Sequence, residues 1–357
     1  MRGRRIRPYG LGALAVVALA FVLAACGSSS NSNTTSTSGG STSSSSSSSS
    51  SGGGYKVGLV TDIGGLNDHG FNHLSYEGLL QAESQLGVKG TVLQSNSNAD
   101  YLPNLTRLAA SGNKLVIAVG YLMGPALESV AKQYPKVHFA IIDSPGATAP
   151  DTATNIEGID FAEQEAGYPA GYLTGLYLKA HHYTTASSVG GQAIPPVTLY
   201  IAGYQAGVRA ADPSAKLLNA YSNNFTDESS CKELALNQIN AGSKVVFQVA
   251  GGCGLGVISA GVQTHTQVIG VDADQSYLSP TLVLTSAEKM VNTGVFTAIK
   301  DLQHGQFSSN LQENMKNGGV GIGKIGPAGA AYASQVNNVI IQIKDGKITP
   351  PTTLIVK

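Results

Sequence analysis

Three carboxylates, Asp62, Asp143 and Asp272, each follow directly on an apolar run: Tyr55–Thr61, Val137–Ile142 and Val268–Val271. Tyr121 stands just beyond the apolar run 114–119, Phe225 just beyond 217–222, and the pair Gly251-Gly252 just beyond 245–249. A carboxylate accepts hydrogen bonds from hydroxyl or ring N–H groups, and an aromatic face stacks on a flat ring. Glycine lets a ligand approach the backbone closely. As a set, these residues suit capture of a polar ring compound. An Asp at such a place can equally cap the helix that follows it.

Other chemistries find little support. There is no Gly-x-Ser-x-Gly nucleophile turn and no His-Glu-x-x-His helix. Asp272 and Asp274 alternate along an extended segment, which points their side chains to opposite sides. No His or Cys pair has metal-ligand spacing, so no metal and no cofactor is expected. An exported nucleoside hydrolase or glycosidase therefore stands behind a binding protein, and the chain is read as no enzyme.

These residues need a scaffold. Strands at 55–61, 90–94, 114–119, 137–142 and 154–161 alternate with helical periodicity over 71–86, 102–111, 123–133 and 163–180. A second series begins at 186–190 and continues with a helix over 196–211 and strands at 217–222, 245–249 and 268–271. Strands separated by helices predict parallel sheets covered on both faces, with right-handed crossovers. Two series predict two α/β lobes around a cleft, with the residues above on its rims, since ligands gather beyond the carboxyl ends of parallel strands.

The start of the chain has a different character. Arg2, Arg4, Arg5 and Arg7 precede an apolar run from Leu11 to Ala25, the pattern of a secretory leader. Leu23-Ala24-Ala25-Cys26 resembles a bacterial lipobox, in which the cysteine thiol is lipidated before cleavage. Residues 27–54 are almost wholly Ser, Thr, Asn and Gly, with too little apolar surface to fold. Such a coil reaches roughly 30 Å, a flexible tether between anchor and domain. The expected organisation is a leader at 1–25 and a lipidated, tethered segment at 26–54. A first lobe at 55–160 is completed by roughly 287–320, and a second at 161–286 by roughly 321–357. Lys and Arg together number 22 and so do Asp and Glu, so there is no basic field to hold a nucleic acid. Beyond Cys26 only Cys231 and Cys253 remain. Both fall at the carboxyl edge of neighbouring strands in an exported chain, where a bridge is favoured over two separate buried thiols.

The segment Thr61-Asp62-Ile63-Gly64-Gly65-Leu66-Asn67-Asp68-His69-Gly70-Phe71-Asn72 resembles the opening signature of the basic membrane lipoprotein, or PnrA-like, family of ABC-transporter substrate-binding proteins. The likeness continues through 137–143, 161–175, 225–256, 271–275 and 285–289, covering most of Tyr55 to Pro350. It implies a type I periplasmic-binding-protein fold, two doubly wound lobes joined by three strands, with purine nucleosides as usual ligands. By the same resemblance Asp62 hydrogen-bonds the base, and Phe71 and Phe225 sandwich it. Asp272 and Lys289 hold the ribose hydroxyls, and Asp143, Asn72 and Gly251 lie nearby. Phe71 and Phe225 can also be read as core residues, and Lys289 as a solvated helix residue. His69-Gly70, Cys253 and Ala287-Glu288 depart from the family's usual residues, which bears on ligand choice more than on fold. The partners implied are a nucleoside-like small molecule, an ABC permease with its ATPase, and the extracytoplasmic face of a membrane reached through the lipid anchor. The protein is expected to act as a monomer. A receptor presenting the ligand to a sensor is the alternative.

Overall fold

The computed structural model describes residues 54–146 and 153–356. The leader, the lipobox Cys26 and all of the tether but Gly54 lie outside the described residues.

The first sheet is built from β1 (Lys56–Ile63), β2 (Lys89–Ser95), β3 (Leu115–Ala118), β4 (His138–Ile142), β5 (Ile156–Phe161) and a later strand, β11 (Asn310–Glu313). Its order is β11-β5-β4-β3-β1-β2, parallel throughout. The helices between its strands are α1 (Phe71–Leu86), α2 (Tyr101–Ala110) and α3 (Gly124–Gln133). The chain then enters α4 (Glu163–Ala180) and the second sheet. That sheet comprises β6 (Thr185–Gly190), β7 (Lys216–Tyr221), β8 (Val245–Val249), β9 (Gln267–Asp272), β10 (Val283–Lys289) and β12 (Val320–Ile322). Their order is β12-β10-β9-β8-β6-β7, and the connecting helices are α5 (Pro195–Ala211), α6 (Glu228–Asn240) and α7 (Gly254–Thr264). Helix α8 (Val291–Gln303) returns to the first lobe, and α9 (Ala333–Lys344) follows β12 in the second.

The two sheets repeat one winding, and in each the order reverses beside the first strand: at β1/β3 and at β6/β8. The central strands are buried on both faces, so they read as unbroken apolar runs rather than alternating ones. The lobes do differ from the expectation of wholly parallel sheets: β12 pairs antiparallel to β10. It arrives from β11 across the short segment 314–319, without the helical crossover that a parallel neighbour requires. The crossings between sheets fall at 162, at 290 and at 314–319. Ala287–Lys289, expected in the first lobe, therefore belongs to the second, because β10 continues in register with β9 as far as Glu288.

Helices α4 and α5 of the second lobe pack backbone to backbone. A Cβ on Gly167 or Gly171 would run into the carbonyl of Tyr200 or Tyr204, and one on Gly203 or Gly207 into that of Gln164 or Tyr168. This close seam fixes Tyr200 and Glu163, both of which face the site. Among the described residues no helix is long and apolar enough to cross a membrane.

Candidate functional site

The largest concentration of chemistry lies where the carboxyl ends of both sheets meet. A cleft with about 600 Å³ of free space, open solvent included, is lined from the first lobe by Asp62, Phe71, Asn72, Gly120, Tyr121 and Asp143. From the second lobe it is lined by Tyr200, Phe225, Gly251, Gly252, Asp272 and Lys289. All ten residues singled out in the sequence are thus brought to one cleft, beside the two switch points where strand order reverses.

Asp143 and Asp272 hold equivalent places, at the carboxyl ends of β4 and β9, and both have φ of 63°. A non-glycine residue adopts that left-handed conformation at an energetic cost and only where its surroundings enforce it. Here both carboxylates converge on one ammonium. Lys289 Nζ donates to Asp143 Oδ1 and Oδ2 at 2.8 and 2.7 Å, and lies 3.8 Å from Asp272 Oδ1 and 3.6 Å from Glu163 Oε1. The rings of Phe71, Phe161 and Tyr200 surround the same nitrogen, at 4.7, 5.4 and 5.6 Å from their centroids. Lys289 is 2 % exposed and ends a strand, which corrects the alternative of a solvated helix residue.

Electrostatics follow from this crowding. Burial alone would depress the Lys289 ammonium, but Asp143, Asp272 and Glu163 together raise it, so it stays charged. Burial pushes Asp272 up to about 6 against the pull of Lys289. Burial likewise raises Glu163 well above the usual carboxylate range, with Lys289 opposing. Among the described residues Glu163 Oε2 finds no hydrogen-bond partner.

Asp62 has its own surroundings. Its backbone N–H donates to Asn72 Oδ1 at 2.8 Å, which ties β1 to the start of α1 and occupies the Asn72 acceptor. Its Oδ1 accepts from the Ile63 N–H at 2.7 Å and from the Tyr101 hydroxyl. Oδ2 faces Gly120, where a Cβ would come within 2.9 Å, and has no partner among the described residues. Burial pushes Asp62 up to about 6, with the Tyr101 and Ile63 donors opposing. Capping falls to a different residue. Asp68 accepts from the N–H groups of Gly70, Asn72 and His73 and so closes the start of α1. Among the described residues, no helix-start N–H donates to Asp62, Asp143 or Asp272.

Phe225 is half-buried and needs the glycines around it. A Cβ on Gly191 would collide with its ring, and one on Gly251 would touch it at 3.8 Å. The Cys253 N–H donates to the Phe225 carbonyl at 2.9 Å, and Cys253 is bridged to Cys231 in α6 with Cα atoms 5.6 Å apart. The bridge thus fastens the loop carrying Gly251 and Gly252 to the segment carrying Phe225.

Several lining or supporting residues were not anticipated. Ile194, Pro196 and Val197 form an apolar wall beyond β6, the one strand of the second lobe's central group whose carboxyl end was not read for site residues. Tyr200 donates to Asp272 Oδ1 at 3.2 Å, while Tyr101 and Glu163 support Asp62 and Lys289. These three come from helices, and nothing in the local sequence marks them. Among the described residues, no group of His, Cys, Asp and Glu could hold a metal ion.

Two α/β lobes of this winding, closed over an aromatic and acidic cleft, define a solute-binding protein of the kind that serves ABC transporters. A solved solute-binding protein of an ABC transporter system from Aeropyrum pernix K1 superposes with a TM-score of 0.74 at 25% identity, covering 83% of this chain and 93% of that one. The family model described as "ABC transporter substrate-binding protein PnrA-like" matches residues 55–351, and the chain belongs to that family. The ABC transporter nucleoside-binding protein BmpA of Lactococcus lactis subsp. cremoris is 32% identical over 83% of this chain and 89% of its own length. An uncharacterized lipoprotein of Pyrococcus furiosus is 31% identical over 74% of this chain and 69% of its own.

Proposed function

We propose that this protein captures a purine nucleoside in the interlobe cleft, outside the cytoplasm, and delivers it to an ABC permease while anchored through Cys26. The observation that carries the reading is the cleft's alternation of aromatic rings with carboxylates around one buried ammonium. Phe71 and Phe225, from opposite lobes, offer faces to a base. Asp62 offers a free acceptor to its edge, and Asp272 with Lys289 offers an acceptor and a donor to ribose hydroxyls. The Lactococcus relative, named for nucleoside binding, supports the same reading. The Pyrococcus relative, named a lipoprotein, supports the anchor. Three carboxylates, Asp143, Glu163 and Asp272, surround Lys289, and Asp62 lines the same cleft, so a phosphate would meet net repulsion. The ligand is therefore an uncharged nucleoside rather than a nucleotide.

Calorimetric titration of the purified protein with inosine, guanosine, adenosine, uridine and inosine monophosphate tests this. Purine nucleosides should bind and the monophosphate should not. Asp272→Ala, which removes hydrogen bonds from a charged acceptor, should weaken binding roughly ten- to a hundredfold. Phe71→Ala should weaken it roughly tenfold through lost stacking and burial. Absence of nucleoside binding, or binding that survives both substitutions, would reject the assignment. Release of free base in the same samples would point to hydrolysis instead.

A further inference from the structure

At the mouth of the cleft the lobes also touch through side chains that do not line it. His69 lies in the loop between β1 and α1 with φ of 55°. Its Nδ1 is 2.7 Å from the Tyr277 hydroxyl, with ring centroids 6.0 Å apart. Tyr277 belongs to the short 3-10 turn Ser276–Leu278 of the second lobe and is 57 % exposed. Beside it, Gln275 Nε2 donates to the His69 carbonyl at 3.2 Å.

Gln275 is held firmly for this task. It is 1 % exposed, and its Oε1 accepts from Gln248 Nε2 at 2.7 Å and from the Val271 N–H at 3.2 Å. Gln248 Oε1 in turn accepts from the Ala250 N–H at 3.2 Å, one residue before the cleft-lining Gly251. Two glycines make room for these amides. A Cβ on Gly270 would lie 2.8 Å from Gln275 Oε1, and one on Gly254 would collide with Gln248 Oε1. A buried amide whose oxygen is so engaged on its own lobe presents its NH2 group at a fixed place, so little ordering is left to pay for when the other lobe arrives.

We propose that His69, Gln275 and Tyr277 form a latch across the cleft mouth that stabilises the closed state and sets how fast a captured ligand leaves. The proposal rests on the reading of the cleft as the ligand site, but not on the ligand's identity. The contacts join residues of different lobes, so they exist only when the lobes are together. Removing them destabilises the closed state and leaves the open state, to which ligand first binds, untouched. The effect therefore falls on dissociation rather than association.

The test uses Tyr277→Phe, which keeps the ring and loses only the hydroxyl, His69→Ala, and the double variant. Pulsed EPR with one spin label on each lobe reads the inter-lobe distance without added ligand, and stopped-flow measurement reads inosine release. Each single variant should enlarge the open population and speed release roughly two- to tenfold, the range for a lost neutral hydrogen bond, with association changed less than twofold. The double variant should go little further than His69→Ala, because the two side chains act through one contact. Unchanged distances and release in Tyr277→Phe, or fully additive effects in the double variant, would overturn the latch. If no nucleoside of the panel binds the parent protein, the nucleoside reading falls, while the distance measurement still decides the latch.

Discussion

Replacing Lys289 by Met keeps the length of the side chain and removes the one cation among Asp143, Glu163 and Asp272. Its closest contact is 2.7 Å, and the partners are almost wholly buried. Left charged, Asp143 would be an unpaired ion in the interior, a situation that costs about 3–5 kcal/mol when one member of a buried pair is deleted. As pH falls below about 7 the carboxylate has a cheaper recourse, which is to bind a proton. Relative to the unfolded chain, where an Asp titrates at its ordinary 3.8, keeping Asp143 neutral costs about 1.4 kcal/mol for each pH unit above that value. The loss is then about 4 kcal/mol at pH 7 and about 2 kcal/mol at pH 5. The sign follows from proton counting. The folded variant binds one proton more than the unfolded chain between pH 4 and 7, so its stability rises as pH falls through that window. Urea denaturation of parent and variant between pH 5 and 8 measures the difference. Lys289→Met combined with Asp143→Asn should recover part of the loss, since Asp143 then carries no charge while Asp272 and Glu163 still lack the cation. A stability difference that is flat with pH, or below about 1 kcal/mol at pH 7, would refute the reasoning.

Three further outcomes are expected. Asp62, pushed up to about 6 by burial, offers Oδ2 as an acceptor when ionised, which suits the ring N–H of a 6-oxopurine. Inosine should therefore bind more tightly than adenosine at pH 7.5, and the preference should shrink as pH falls to 5 and Asp62 becomes a donor; calorimetry at the two pH values checks it. Reduction of the Cys231–Cys253 bridge, which closes a loop of sequence separation 22, should lower stability by about 3 kcal/mol, measured as a shift in the urea midpoint with and without reductant. Gly171→Leu should destabilise by at least 1–3 kcal/mol, because its side chain would meet the Tyr204 carbonyl across the seam of α4 and α5; a thermal melt within a degree or two of the parent would contradict that packing.

Much of the site was legible because of how an α/β lobe is wound. Once strands and helices alternate, every strand's carboxyl end falls on the same edge, so reading the residue after each apolar run finds Asp62, Asp143, Phe225, Gly251 and Asp272 without coordinates. The same rule left unread at β6 lost the wall of Ile194, Pro196 and Val197. Tyr101, Tyr200 and Glu163 were beyond its reach. They approach from helices, and which helical residue faces a strand end depends on packing such as the glycine seam between α4 and α5.

By itself, then, the sequence determined the two-lobed α/β class, the family and much of the membership of the cleft. Each of these follows from local periodicity or from an ordered set of motifs. Only the tertiary structure decided what those members do to one another. Lys289 and Asp143 lie 146 residues apart and in different lobes, yet they meet in a buried pair with Asp272 beside them. His69 and Tyr277, 208 residues apart, meet at the mouth. Such pairings are set by how one lobe closes on the other, a global arrangement that no short stretch of chain encodes.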